Sequence, residues 1–212
     1  IDQAHKVTLT SRAFRNDHQG SRALLEETLP IARANDSPRH VAESLRLLSV
    51  VATNLSEYEA AIAYLEEAGT VYRVLGDHEG EALCMGQLGA LYIGMERYDA
   101  AREASERAVV MFEESGHQLR RGIVLGNLVS IAIEQGRFDD ALALATEALE
   151  ISDSLDDGEG IVSTLLRLGE IHRHTGGLDE ARRYLVRSEE VGLTFDLSYF
   201  LAFIQSSLAV LD

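Results

Sequence analysis

The chain repeats itself every forty residues. Sliding the 212-residue sequence by that step superposes Leu48, Leu88, Leu128 and Leu168, and likewise Ala61, Ala101, Ala141 and Ala181. Tyr58, Tyr98, Phe138 and Leu178 share one large apolar position, each followed by an acid. Ala68, Ala108, Ala148 and Ser188 share a small one, and Val71, Met111, Ile151 and Val191 an apolar one. Repetition at this step marks an array of small units, each of which buries its apolar face only against its neighbours.

Within a unit the spacing is helical. Leu125, Leu128 and Ala132 follow i, i+3, i+7, and Phe138, Ala141, Ala145 and Ala148 follow i, i+3, i+7, i+10. Each unit therefore reads as two amphipathic helices, A and B. A short A-to-B turn joins them, as at 135–137 and 175–177, where Gly supplies the left-handed conformation that ends many helices. Longer B-to-A loops are read at 76–80 (GDHEG), 114–118 (ESGHQ) and 155–160 (LDDGEG). The retained alanines have a steric reason: where helices cross at a separation of about 8–10 Å, the contact point admits only a small side chain. The units are drawn at 41–80, 81–120, 121–160 and 161–196 within a single array over 1–212. A degenerate unit over 1–40 precedes them, with Ser21 and Leu25 in register with Ala61 and Leu65. A half repeat or terminal helix over 197–212 follows.

This pattern resembles the tetratricopeptide repeat (TPR). Leu88-Gly89 with Tyr92, then Ala101 and Ala108, match its signature best, and Leu168-Gly169 with Ala181 follow. Ser49 and Val129 depart from the Gly, and Ala52, Ala132 and His172 from the aromatic; the usual closing Pro is absent and the step is longer than the common one of about 34. HEAT and armadillo repeats run near this length, but the tight turn and small crossing residues favour TPR. Forty-residue units of this kind are similar to those of kinesin light chains, cell-cortex adaptors, and the sensor regions of bacterial transcription activators and signalling ATPases. The resemblance implies an all-α, right-handed superhelical array of antiparallel helix pairs. Its A helices would line a concave groove for a peptide, a partner domain or a small effector.

Composition narrows the partners. With 35 acids against 19 bases the formal charge is −16, so most of the surface repels a phosphate backbone and direct nucleic-acid binding is not expected. Only Lys6 among the bases is lysine, which hints at a GC-rich coding genome. No apolar run approaches the roughly 18–20 residues of a membrane span, and the N-terminus lacks a signal-peptide pattern. It also lacks an initiator Met, so the expectation is a processed chain or a piece of a longer one. The one cysteine, Cys84, forms no internal disulfide, fits a cytoplasmic setting, and sits in an apolar helical pattern as core filler.

Catalytic and metal patterns are weak. His172 and His174 stand two residues apart and point about 200° apart on a helix, so they share a metal poorly. His172 falls in the aromatic slot and His174 should face the groove. His78-Glu79 has no second His four residues on, Gly86, Gly89 and Gly94 fall within a helix with no preceding strand, and no Gly-Lys-Ser/Thr element occurs. No enzyme activity, cofactor or metal is expected.

By the TPR resemblance, the groove positions fall on Arg46 and Asn54 in the second unit and Gln87 in the third. They fall on Asn127 and Ser130 in the fourth, and on Arg167, Glu170 and Arg173 in the fifth. Side-chain amides such as Gln87 and Asn127 donate to and accept from a peptide backbone, and Arg46, Arg167 and Arg173 suit a carboxylate. Lys6 and Thr10 stand where the clamp of chaperone-binding TPRs places Lys and Asn, so a chaperone tail is not expected. The last segment, 198–212, is apolar on nearly all sides; Tyr199, Phe200, Phe203 and Leu211 are read as a self-association surface, or as cover for a further repeat. The expected function is a non-catalytic interaction module using the concave groove within a larger regulatory protein. The alternative is an effector-sensing domain of a transcription regulator or signalling ATPase.

Overall fold

The computed structural model describes residues 17–211. Lys6, Thr10 and the start of the degenerate unit lie outside the described residues. Within them there are ten helices and no strand. They are α1 (His18–Ala34), α2 (Pro38–Asn54), α3 (Tyr58–Val74), α4 (His78–Gly94), α5 (Tyr98–Glu114), α6 (Gln118–Glu134), α7 (Phe138–Ser154), α8 (Gly158–His174), α9 (Leu178–Thr194) and α10 (Ser198–Ala209). Nine of them run 17 residues and α10 runs 12, and every connection is three residues long.

Each helix from α1 to α9 ends in a turn of one recurring form. After α6, Gln135 closes the helix and Gly136 turns left-handed at φ 69°. The Arg137 N–H donates to the Ala132 carbonyl at 2.8 Å, and that of Gly136 to Ile133 at 2.9 Å. These two back-bonds satisfy carbonyls that would otherwise end the helix unpaired. The next helix starts at once, for the Arg137 carbonyl already accepts from Ala141 at 3.0 Å. The central residue is left-handed in every turn, yet only four are Gly; Asp36, Ser56, Glu96, Asp156 and Asp196 take the strained position with a side chain attached. Ser56→Gly is therefore expected to raise stability by about 0.5–1 kcal/mol, and Gly136→Ala to lower it by about 1 kcal/mol. At position 136 nothing lies within 4 Å of an added methyl, so backbone conformation alone decides. Urea denaturation of the two variants checks the pair; a loss for Ser56→Gly would assign the turn's stability to the serine side chain.

The B-to-A loops are shorter than the sequence reading had them. Residues 75–77, 115–117 and 155–157 make the turns, and the rest of GDHEG, ESGHQ and LDDGEG is already helix. Gly76 and Gly116 do sit in the turns, whereas Gly80 and Gly158 lie in helical first turns with a ring over each. A methyl on Gly80 would sit 2.4 Å from Tyr72 Cδ1, and one on Gly158 2.4 Å from Phe195 Cγ. Asp77 caps α4 by accepting from the Gly80 N–H at 2.9 Å.

The helices form two compact units, divided after Met95. In the first, α1 packs on α2, α2 on α3 and α3 on α4. In the second, each of α5 to α10 packs on the next, and α6 also meets α8. Contacts thus join helices that are sequence neighbours or next-but-one, as expected when each pair supplies its neighbours' core. The small positions are out of solvent: Ala61, Ala101, Ala141 and Ala181 are all wholly buried, as are Ala68, Ala108 and Ser188. The leucine register, Leu48, Leu88, Leu128 and Leu168, is buried throughout. In the second unit Val129, Ala132, Ala141, Ala145 and Leu165 belong to one continuous cluster. Exposed pairs such as Arg187–Asp153 at 2.9 Å tie alternate B helices, contributing about 0–1 kcal/mol each.

Cys84 is fully buried. Burial pushes its thiol from the ordinary 9.0 up to about 12, partly opposed by the Arg46 charge and reinforced by Glu81 and Asp77. The unfolded chain sheds this proton near pH 9 while the folded chain keeps it to about pH 12. The thiol's contribution to stability is thus whole below pH 9 and is lost as pH rises from there toward 12. Burial raises the Tyr72 phenol in the same direction. Two results are expected: no reaction of the native chain with a thiol reagent at pH 8, and a shallower alkaline loss of stability in Cys84→Ala than in the parent. Rapid native labelling would mean the core around α4 opens readily.

Candidate functional site

The second unit holds a groove of about 690 Å³ whose walls are A helices. Ser130, Ile133 and Glu134 reach it from α6. From α8 come Ser163, Leu166, Arg167, Glu170 and Arg173, and from α10 Phe200, Phe203 and Ser207, with Val210 and Leu211 just beyond its end. The spacing along each helix is i, i+3, i+4 or i+7, so one stripe of each faces the space. Leu185 of α9 closes the floor through Gly169, where a methyl would come within 3.0 Å of Leu185 Cγ.

Arg167 is the central polar group. Its Nε donates to Ser130 Oγ at 3.3 Å and its NH1 to the Ser163 carbonyl at 3.2 Å, so it bridges α8 to α6. The guanidinium lies over Gly126, where a methyl would stand 3.7 Å from Cζ. Burial lowers its pKa below the ordinary 12.5, and the charge of Glu170 opposes that shift. An arginine remains protonated under such conditions, so the groove carries a fixed positive charge against an apolar wall. Around the groove, Glu134, Glu170 and Arg173 are exposed.

The residues singled out from sequence divide by place. Ser130, Arg167, Glu170 and Arg173 line this groove together. Asn127 is partly buried on α6 and does not line it. Arg46, Asn54 and Gln87 belong to the first unit. There the Arg46 charge acts on the Tyr72 phenol, Asn54 is exposed at the end of α2, and the Gln87 Oε1 is buried without a hydrogen-bond partner. Phe200, Phe203 and Leu211, read as self-association residues, also line the groove, and Tyr199 stands beside them with its hydroxyl donating to Glu159. Sequence reasoning stopped the groove register at α8. One further step of forty carries Ser163 to Phe203 and Glu170 to Val210, so the signal was present.

The histidines diverge as helix geometry requires. His172 stacks on Tyr184 with ring centroids 5.3 Å apart, and His174 stacks on Phe138 at 5.4 Å instead of opening on the groove. His174 Nε2 also lies 3.2 Å from an Arg173 nitrogen. Among the described residues no group of three or more His, Cys, Asp or Glu side chains is placed to hold a metal ion. Nor is any described helix long and apolar enough to cross a membrane.

Comparison with known proteins agrees with this architecture. Among solved structures the chain is similar to BtubC (BKLC) from P. vanneervenii, with a TM-score of 0.81 at 18% identity over 91% of this chain and 80% of that one. It is similar to a putative kinesin light chain with TPR-like repeats from Podosopora anserina, with a TM-score of 0.75 at 14% identity over 92% and 95%. It is also similar to a Rap protein complexed with competence and sporulation factor, with a TM-score of 0.67 at 17% identity over 92% of this chain and 58% of that one. At such identities the likeness concerns the fold. No curated protein sequence matches the chain significantly. The tetratricopeptide repeat family model matches residues 51–114 and 120–192, more than half of the chain. The helix pairs, the small residues at their crossings and this match agree: the chain belongs to the tetratricopeptide repeat family.

Proposed function

We propose that the chain is a non-catalytic interaction module, which binds a peptide or partner protein in the groove of the second unit within a cytoplasmic bacterial regulatory protein. The observation that carries this reading is the groove itself, in which Arg167 sits among Ile133, Leu166, Phe200 and Phe203 on three A helices. Apolar walls with a few convergent polar groups are what ligand sites ordinarily offer. The Rap protein of similar fold, solved with competence and sporulation factor, is consistent with it. The test is affinity capture from the native lysate with the parent chain and with an Arg173→Ala/Phe203→Asp variant, both verified as folded by circular dichroism. A partner held by the first and lost by the second is expected. A partner retained equally by both would move the interaction off the groove. Capture of nothing by either would favour the second reading, an effector-sensing domain of a transcription regulator or signalling ATPase.

The end of the chain carries a companion proposal. Tyr199 and Phe203 are each 62% exposed on a helix whose sole fully buried side chain is Ile204, and Val210, just past its end, is 70% exposed. Self-association through Tyr199, Phe200, Phe203 and Leu211 would cover that surface. Light scattering is expected to give a mass rising above the monomer with concentration, reverting in Phe203→Asp. A monomeric mass throughout would sink the idea. Because Phe200, Phe203 and Leu211 also line the groove, self-association and groove binding would exclude one another.

A further inference from the structure

The turns that lead from a B helix into the next A helix, at 115–117, 155–157 and 195–197, form one edge of the second unit. Most of that unit's exposed large apolar side chains lie along it. Leu119 and Ile123 are in the first turns of α6, Leu155 and Phe195 stand in connecting turns, Leu193 is next to last in α9, and Tyr199 opens α10. Of that kind, the opposite edge exposes only Leu178 and Val210 among the described residues. The apolar groups are also neighbours. A methyl on Gly158 would sit 2.4 Å from Phe195 Cγ, so the last turn lies against the one before it. The Tyr199 hydroxyl reaches Glu159, and a methyl on Gly122 would meet Ile151 at 3.3 Å, which ties the start of α6 to the end of α7. Single exposed apolar residues are ordinary, whereas a grouped set marks a surface that something covers.

Charge selects what covers it. Residues 150–159 and 189–199 hold eight acids and not one Lys or Arg. Arg187 reaches in to pair with Asp153. Among the described residues, Asp156, Glu190 and Asp196 have no cation within ion-pair distance. A metal ion does not solve this, because no three acids are placed to hold one. A second copy set edge to edge brings the same acids, and nucleic acid or an anionic membrane brings further negative charge. A wholly apolar segment would take water from the carboxylates and give nothing back. The chemistry that fits is an extended segment with cationic side chains set among large apolar ones.

We infer that this edge docks a basic segment of a partner protein, whose apolar side chains cover Leu155, Leu193 and Phe195 while its Lys or Arg side chains meet Asp156, Glu190 and Asp196. None of these six lines the groove, so the surface stands or falls apart from the groove reading.

The experiment offers the chain three pools of randomised peptides with the same content of Leu, Ile and Phe. Their other positions are Lys and Arg, Ser and Gln, or Asp and Glu. Retention from the Lys and Arg pool alone is expected. Retained peptides are then titrated by fluorescence anisotropy at about 50 mM and about 500 mM salt, between which the screening length shrinks about threefold. Asp156→Asn/Glu190→Gln/Asp196→Asn is expected to weaken binding roughly tenfold at the lower salt and to flatten its salt dependence. Leu155→Ser/Leu193→Ser is expected to weaken it by roughly tenfold at both. Asn tolerates the left-handed backbone at 156 and 196, and both leucines are exposed, so these variants keep the fold. Glu106→Gln/Asp139→Asn/Asp179→Asn removes the same charge elsewhere on the unit and is expected to bind as the parent does. Equal weakening by that control would assign the attraction to the net charge of the whole chain and overturn the inference. So would equal retention from the Ser and Gln pool, or retention of nothing from any pool. Loss of binding in Arg173→Ala/Phe203→Asp with none in the two edge variants would move the peptides into the groove, overturning the inference while supporting the groove reading.

Discussion

Ala141→Leu is expected to lower the stability of the chain by about 1–3 kcal/mol, the usual cost of forcing extra methylenes into a packed core. Ala141 is wholly buried, within the cluster that joins α6, α7 and α8 through Val129, Ala132, Leu165 and Leu168. An isobutyl group there has no solvent to enter and must push α7 away from its neighbours. Burial of more apolar area works the other way, but that gain needs space that a crossing does not have. In a domain of this size each kcal/mol moves the melting temperature by about 2–4 °C, so thermal unfolding by circular dichroism resolves the effect. An unchanged melting temperature would show that the crossing yields at no cost, and the steric reading of all four alanines would go with it.

Gly80→Ala tests the opposite kind of position. Glycine within a helix ordinarily costs about 1 kcal/mol against alanine, so the substitution ought to stabilise α4. Here the new methyl would sit 2.4 Å from Tyr72 Cδ1 and 2.5 Å from Cγ, and the ring is only 5% exposed, with nowhere to swing. The clash outweighs the propensity gain, and a net loss of about 1–2 kcal/mol is expected. Gly94→Ala is the control: nothing lies within 4 Å of its methyl, so only the propensity gain should remain. Should Gly80→Ala stabilise as much as Gly94→Ala, the ring is not held where the structure puts it.

These two positions also show how far the sequence could be read. The four alanines stood out because a crossing accepts nothing larger, a constraint that leaves the same letter in every copy. Gly80 misled, because a glycine needed for close approach looks, as a letter, like a glycine needed for a turn; only the Tyr72 ring above it tells them apart. The groove was half legible for a similar reason. Helical register picked Ser130, Arg167, Glu170 and Arg173, which do line one space. That register carries no information on which acids lie within reach of Arg167, nor that the apolar face of α10 forms the opposite wall. Those facts depend on side chains from helices far apart in the register, and repetition encodes only what neighbouring copies share.

The three-residue turns set a limit on how such a chain can change length. Loops usually absorb insertions and deletions. In these turns one residue ends a helix, the next reverses the backbone, and the third both completes the cap and opens the following helix. None is spare. Adding or removing a single residue would advance the next helix by about 100° and carry its apolar stripe away from the core. The connections are thus the least elastic part of the molecule, and lengthening or shortening comes in whole helix pairs, as with links in a chain.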